Sequence, residues 1–364
     1  MERAPVIVHI VVPWLILLTL GAVMVASAAV ALDGAYLTKH LIYLGLALLL
    51  FSIAFAVPTM WWHKFYLVGW IGAVAICVLV LLPGIGHTVN GASRWVNLGS
   101  FTVQAAEVAK FGICIYLAGY LARHAERLRG DEGLSALLVP LAMVGAIAAL
   151  LVLEPDLGSA VVITVASVGV LFIAGAKLRY FLMLILFGAG LLALLIWIEP
   201  YRLERLIAFL DPWAVQFGSG YQLTQALIAF GRGEVWGLGL GEGVQKLFYL
   251  PEAHTDFIFA VIAEELGSVG AIGVALLMSW LVLKILLLAR TNLLDRRSFA
   301  GFAAYFLGLV IGIQFLVNLG VNTGVLPTKG LTLPFVSYGG NSLMILCALL
   351  GVVLRATLEE QHEQ

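Results

Sequence analysis

The stretch PEAHTD at residues 251–256 runs directly into the apolar segment FIFAVIAEELGSVGAIGVALLMSWLVLKILLL at residues 257–288. A segment of this length and composition predicts a helix that spans a membrane. The polar stretch places Asp256 in or just before the first helical turn, where unpaired backbone N–H groups and the helix dipole favour an anion. Asp256 is therefore either a helix cap or a carboxylate poised to accept a proton.

The composition extends this prediction to the whole chain. Of the 364 residues, 62% are hydrophobic and 11% are charged, whereas a soluble domain has about 25% charged residues. Apolar runs of spanning length follow one another, with one long polar interruption. The sequence therefore predicts an all-α polytopic membrane protein, with a single membrane domain over residues 1–364. The net charge of −1 provides no basic field for nucleic acid.

About ten spans are predicted, and Lys and Arg are concentrated in one set of connecting loops. That bias places both termini in the cytoplasm, so Asp256 faces outward at the start of span eight. The long outer loop covers about residues 199–255, and residues 201–209 within it are predicted to form a short interfacial helix. The spans lie near residues 10–31, 40–57, 65–82, 104–122, 136–153, 157–175, 180–198, 257–288, 299–320 and 342–355.

Charged residues inside the predicted spans are the sharpest sign of a functional site, because each costs about 2.5–3.5 kcal/mol at a helix centre unless it is paired or hydrated. Glu107 and Lys110 in span four are three residues apart and can pair on one helical face. The pair either only orients the span or lines a water-filled outward cavity. In span eight, Glu264 is a candidate for supporting the site, and Glu265 is expected to make a packing contact.

Further polar residues lie at the outer ends of the spans. Arg94 can bind a phosphate group through two hydrogen bonds. Asp156 either caps span six or adds another carboxylate to the site. The segment 327–342 contains two prolines and three glycines, which predicts irregular backbone lining an enclosed cavity. The candidate contacts to an anion or a sugar in that segment are Lys329, Ser337 and Asn341.

A metal site built by the protein alone is not expected. Glu252, His254 and Asp256 are spaced two residues apart, which suits ligands on an extended strand, but Asp256 is predicted to begin a helix. The cysteines lie inside apolar runs at no metal-ligand spacing, so they are predicted to be packing residues. They are Cys77, Cys114 and Cys347.

Five motifs, in this order along the chain, resemble the SEDS family of membrane proteins (shape, elongation, division and sporulation). The resemblance extends over almost the whole chain, and the segments 245–254 and 328–334 are more similar to the division branch of the family than to its elongation branch. The motifs are Asn90-Gly91 through Arg94-Trp95, Glu107 with Lys110, Pro155-Asp156-Leu157-Gly158, His254-Thr255-Asp256-Phe257 and Ser337-Tyr338-Gly339-Gly340.

Two positions depart from the family pattern. The chain has Gln104-Ala105-Ala106-Glu107 where the family usually has a proline after the glutamine, which puts the geometry at the entry of span four in doubt. Asn341 stands where a serine usually follows the paired glycines.

The resemblance implies a peptidoglycan glycosyltransferase that polymerises lipid II at the outer face of the bacterial inner membrane. The expected place is the division septum, and the expected partners are a class B penicillin-binding protein and other division proteins. The family's catalytic aspartate matches Asp256, and its required glutamate and lysine match Glu107 and Lys110. The departing undecaprenyl diphosphate needs positive charge, for which Lys110, Arg94 and Lys329 are candidates. A divalent cation, Mg²⁺ or Mn²⁺, bound through the diphosphate is also expected.

Two other functions stay open at this point. A proton-coupled flippase for lipid II would also use carboxylates and a lysine around a cavity. Such a carrier would be expected to show charges at the membrane midplane and an inverted repeat, and neither is evident in the sequence. The second alternative is a scaffold whose polar loops only bind other division proteins.

Overall fold

A computed structural model of the chain describes residues 3–30, 35–89, 92–99, 101–130, 133–198, 200–328 and 330–359. Nine helices in these ranges are long and apolar enough to cross a membrane. They are α1 (Arg3–Ala28), α2 (Ala35–Ala56), α5 (Ala105–Arg129), α6 (Gly133–Leu153), α7 (Leu157–Ala174), α8 (Leu178–Ile198), α11 (Ile258–Leu294), α12 (Ser298–Asn322) and α13 (Gly340–Leu358).

The predicted all-α polytopic fold is confirmed. Each of the nine helices coincides with one predicted span, and the remaining prediction, at residues 65–82, coincides with a shorter apolar helix, α4 (Tyr66–Leu81). A further short helix, α3 (Thr59–Lys64), lies just before α4. The sidedness of the chain and its single domain stay predictions.

The long loop between α8 and α11 contains regular structure. Its first helix, α9 (Pro200–Leu210), confirms the short helix predicted at residues 201–209. Its second helix, α10 (Tyr221–Gly233), was not predicted from the sequence, and it packs against both α11 and α12. The loop is therefore held to the membrane domain along part of its length.

A small antiparallel sheet between α4 and α5 was also not predicted. Its strands are β1 (Gly86–Val89), β2 (Ala92–Leu98) and β3 (Phe101–Gln104), in the order β1-β2-β3. The last residue of β3, Gln104, is the N-cap residue of α5 and has extended backbone angles. The sheet thus leads directly into α5 at the position where the family's usual proline is missing.

Helix α5 lies at the centre of the fold, whereas α8 lies at its edge. In the most apolar window of α5, 83% of the residues are buried, but none is buried in that of α8. Small residues let neighbouring helices approach α5 closely: a Cβ atom on Gly112 would collide with the carbonyl oxygen of Gly69 in α4. Glu107 and Lys110, near the start of α5, are consequently enclosed by protein.

Candidate active site

Asp256 lies in a series of turns that ends where α11 begins. The helix starts at Ile258, and its N-cap residue, Phe257, makes no side-chain capping hydrogen bond. The N-cap position is thus one residue after Asp256. The Thr255 hydroxyl donates to the Glu252 carboxylate at 2.7 Å, because the chain turns back on itself at Glu252, whose φ is 57°.

The Asp256 carboxylate faces the backbone of the loop between α12 and α13. A Cβ atom built on Gly330 would lie 3.0 Å from Oδ2 of Asp256. A side chain at position 330 would crowd this carboxylate oxygen. Lys329, the neighbouring candidate, lies outside the described residues.

Hydrogen bonds join the same loop to the residues just before Asp256. The Ser337 hydroxyl donates to the carbonyl oxygen of Thr255 at 2.6 Å and accepts from the backbone N–H of Leu333 at 2.8 Å. The backbone N–H of Tyr338 donates to the carbonyl oxygen of His254 at 2.9 Å. Ser337, predicted as a substrate contact, therefore uses its hydroxyl within the protein to support the segment that carries Asp256.

An aromatic cluster stands beside this segment and was not predicted. The ring of His254 lies 5.1 Å from that of Tyr36 and 5.4 Å from that of Tyr338, measured between centroids. Burial lowers the pKa of His254, against an opposing effect of Glu252. His254 is therefore neutral near pH 7 and packs as an aromatic ring.

Asn341 connects the site to the sheet. Its side-chain amide donates to the carbonyl oxygen of Thr102 in β3 at 2.9 Å, two residues before β3 ends. This contact brings the start of α13 next to the strand that leads into α5. Asn341, predicted as an anion or sugar contact, thus holds two structural elements together.

The pair predicted in span four is present at the start of α5. Lys110 Nζ lies 2.6 Å from Glu107 Oε1, and both side chains are buried. The other carboxylate oxygen, Glu107 Oε2, has no hydrogen-bond partner within the described part of the chain. A buried oxygen left in this state is unusual and needs an explanation, such as a bound water or ligand.

The turn between α6 and α7 lies next to the loop that carries Leu331. Asp156 Oδ1 accepts from the backbone N–H of Ser159 at 3.2 Å, which confirms that Asp156 caps α7. The Arg94 guanidinium donates to the carbonyl oxygens of Glu154, at 3.5 Å, and Pro155, at 2.5 Å. These contacts use donors that were predicted to bind phosphate. Burial raises the pKa of Glu154 to about 8.

Glu264 and Glu265 serve the outer loop. Glu264 accepts hydrogen bonds from Arg232 Nε at 3.0 Å and from the backbone N–H groups of Val244 and Gln245, both at 3.1 Å. Glu265, predicted to make a packing contact, instead forms a buried ion pair with Lys246, at 2.6 Å. The reason is a kink at Gly267, whose φ is 69°: there the loop folds alongside α11 and brings its polar groups to these carboxylates.

The structure therefore brings together the segments 254–257, 330–341 and 154–158 and the entry to α5. Leu331 closes the arrangement, since its side chain lies 3.6 Å from the position that a Cβ atom on Gly158 would occupy. In the described ranges, no three His, Cys, Asp or Glu side chains cluster closely enough to hold a metal ion.

The sequence analysis overlooked Asn318 and Asn322 of α12. They could have been identified as two amide side chains four residues apart within an apolar span.

Sequence comparisons agree on one family. A family model described as cell cycle protein, for FtsW, RodA and SpoVE, matches residues 8–362. The chain is 48% identical over 364 residues to a probable peptidoglycan glycosyltransferase FtsW of Coxiella burnetii, with 97% of this chain and 96% of that protein covered. It is 46% identical over 362 residues to the Legionella pneumophila protein of the same name, covering 96% and 91%.

Solved structures show the same fold. The chain matches, with a TM-score of 0.81 and 30% identity, a chain from a structure described as the structural coordination of polymerization and crosslinking by a peptidoglycan synthase complex. The match covers 97% of this chain and 98% of that one. It also matches the rod shape determining protein RodA of Thermus thermophilus, with a TM-score of 0.74, 28% identity and 98% of each chain covered.

Proposed function

This chain belongs to the FtsW/RodA/SpoVE family of cell cycle proteins, and from that membership we propose how it works as a peptidoglycan glycosyltransferase. Its substrate is lipid II. Asp256 accepts the proton of the acceptor sugar hydroxyl as that oxygen bonds to the anomeric carbon of the donor. The bond from this carbon to undecaprenyl diphosphate breaks in the same reaction. The observation that carries this assignment is the Asp256 carboxylate facing Gly330, where four outer segments meet.

A general base of this kind contributes about 10²–10⁴ to the rate. Its effect depends on the carboxylate being held where the acceptor hydroxyl arrives, and the hydrogen bonds from the 330–338 loop to residues 254 and 255 support that placement. Helix α11 begins at Ile258, two residues after Asp256.

Positive charge for the leaving diphosphate comes from Lys110. Its ammonium is oriented by Glu107 at 2.6 Å and sits at the entry of α5, next to the strand that Asn341 holds. Lys329, adjacent to Gly330, is the second proposed cation. The Arg94 guanidinium donates to the carbonyl oxygens of residues 154 and 155. We therefore assign Arg94 the role of holding this turn beside the site. Asp156 holds the same turn by capping α7.

A divalent cation is proposed to bind through the substrate diphosphate. Such a cation would take most of its ligands from phosphate oxygens. Such a cation would neutralise charge that develops on the departing diphosphate.

The proposed partner is a class B penicillin-binding protein, which would crosslink the new strands at the septum, together with other division proteins. Two similarities support this: the structural match to a peptidoglycan synthase complex and the relatives named FtsW. We further propose that Asp256 faces the periplasm, as the distribution of Lys and Arg indicates.

The test is polymerisation of purified lipid II by the chain with its penicillin-binding partner. Asp256→Asn keeps the size of the side chain and removes the base, so we expect at least a 10²-fold loss of strand synthesis. The matched control is Asp211→Asn, at an exposed aspartate in the same outer loop that caps a turn at Ala214. Normal polymerisation by the folded Asp256→Asn protein would show that Asp256 is not the base.

The same preparation separates enzyme, carrier and scaffold. Lipid II is added to one leaflet of a vesicle that contains the protein and its partner. A polymerase makes glycan strands, a flippase moves intact lipid to the other leaflet, and a scaffold does neither. Strand formation that depends on Asp256 supports the proposal, whereas intact lipid crossing without strands overturns it.

A further inference from the structure

Two buried asparagines at the end of α12 lie against the backbone of Asp256. Asn318 and Asn322 are four residues apart on one face, and their exposed fractions are 1% and 0%. An amide in an apolar helix is costly unless its hydrogen bonds are satisfied. The hydrogen bonds of these two amides are therefore expected to fix the position of the backbone groups that they bind.

Asn318 joins the two chain segments that form the site. Its Nδ2 donates to the carbonyl oxygen of Asp256 at 2.8 Å and to the carbonyl oxygen of Leu331 at 2.7 Å. Both amide protons are thus used. One rigid side chain sets the spacing between the aspartate segment and the loop whose Gly330 faces the carboxylate.

Asn322 holds the start of α11 from outside that helix. Its Nδ2 donates to the carbonyl oxygen of Asp256 at 2.9 Å, and its Oδ1 accepts from the backbone N–H of Ala260 at 3.1 Å. An N-terminal N–H group of the kind that a capping side chain usually satisfies is here satisfied by α12. Asn322 therefore supplies from α12 an acceptor that the N-cap residue Phe257 does not supply.

We propose that Asn318 and Asn322 are positioning residues for the transfer reaction, which fix the backbone of Asp256 and the 330–331 loop in one frame. The inference rests on the proposed role of Asp256. At Asp256 both asparagines bind the backbone carbonyl oxygen, which accepts from both amides. By fixing this part of the backbone, the two asparagines set the position of the Asp256 carboxylate.

The expected consequence is a loss of turnover rather than of substrate affinity. A displacement of about 1 Å between reacting groups can cost about 10²-fold in rate. Asn318→Leu keeps the volume and removes both donors, so kcat should fall about 10- to 100-fold while KM for lipid II stays within about two-fold. Asn322→Leu leaves Asn318 in place, and its kcat should fall less.

A matched control is available at the opposite end of α11. Asn292 is also fully buried, and its Nδ2 donates to the hydroxyl of Thr357 at 2.8 Å. Asn292→Leu deletes a comparable buried amide far along the chain from Asp256, so it should lower the melting temperature as Asn318→Leu does but keep kcat near that of the wild type.

The experiment measures kcat, KM and melting temperature for these variants and for Asp256→Asn, each as full-length chain with its partner. If Asn318→Leu and Asn292→Leu have equal kcat per folded molecule while Asp256→Asn is inactive, the positioning role is overturned and the base survives. If Asp256→Asn is fully active, the proposed base itself fails. Should Asn318→Leu not fold, the Asn322→Leu variant decides by the same criterion.

Discussion

Two buried ion pairs of the same length have different surroundings. Lys110 lies 2.6 Å from Glu107 within α5, and Lys246 of the outer loop lies 2.6 Å from Glu265 in α11. The second pair is fully satisfied: the Ser27 hydroxyl lies within 2.8 Å of both Glu265 oxygens, and Lys246 also reaches Ser27 Oγ and the carbonyl oxygen of Gly241. The first pair leaves Glu107 Oε2 without a partner in the described chain.

This difference distinguishes a pair whose hydrogen bonds are all made within the protein from a pair that retains an acceptor for a ligand. A buried ion pair with every donor and acceptor in use fixes its surroundings and has nothing left for a ligand. A buried pair with unused hydrogen-bonding capacity bears a cost that a bound substrate can remove. The Lys246–Glu265 pair therefore fastens the loop between α8 and α11, and the Lys110–Glu107 pair is the one that we propose serves the reaction.

The largest effect is expected from breaking the satisfied pair. Lys246→Met leaves the Glu265 carboxylate buried and without its cation, which should lower the free energy of unfolding by about 3–5 kcal/mol. The measurement is unfolding of the purified protein in a fixed detergent. Adding Glu265→Leu removes the stranded charge, so the double variant should recover most of the loss. If Lys246→Met were as stable as the wild type, the pair would not be fastening the loop.

A smaller effect, and on activity, is expected at the other pair. Glu107→Gln combined with Lys110→Met removes both charges and keeps the shape, so the melting temperature should stay close to that of the wild type. If Lys110 is the cation for the diphosphate, as we propose, its loss should reduce kcat by about 10²–10³, equal to about 2.7–4 kcal/mol. Polymerisation is measured per folded molecule. A stable and fully active double variant would return this pair to a purely structural role.

Most of the membrane architecture could be predicted from the sequence, because lipid permits only a narrow choice of backbone structure. Helices such as α5 follow from length and hydropathy alone. The strands β1 and β3, each of four residues, have no comparable pattern. Helix α10 is polar on one side and lies in the outer loop, where composition does not distinguish it from a turn.

The candidate site was predictable in its charges but not in their partners. Asp256, Glu107 and Lys110 could be identified because charge near or within an apolar span needs a reason. The sequence did not indicate that an acceptor for the start of α11 comes from Asn322, 62 residues after Ala260. The partner of Glu265 is likewise distant, since it depends on how the loop folds at Gly267. Spacing along one helix contains no information of that kind.

A further expected effect depends on pH and concerns Glu154, a buried glutamate that forms no ion pair with any described residue. Burial raises its pKa from 4.5 to about 8, so the folded protein keeps a proton that the unfolded chain releases above pH 4.5. Stability should therefore fall as the pH rises from about 5 through about 8. Glu154→Gln removes this titration. The melting temperatures of the variant and the wild type are compared between about pH 5 and pH 9, and the advantage of the variant should increase as the pH rises. Parallel curves for the two proteins would mean that Glu154 is already ionised in the fold, held by the Arg94 guanidinium beside it.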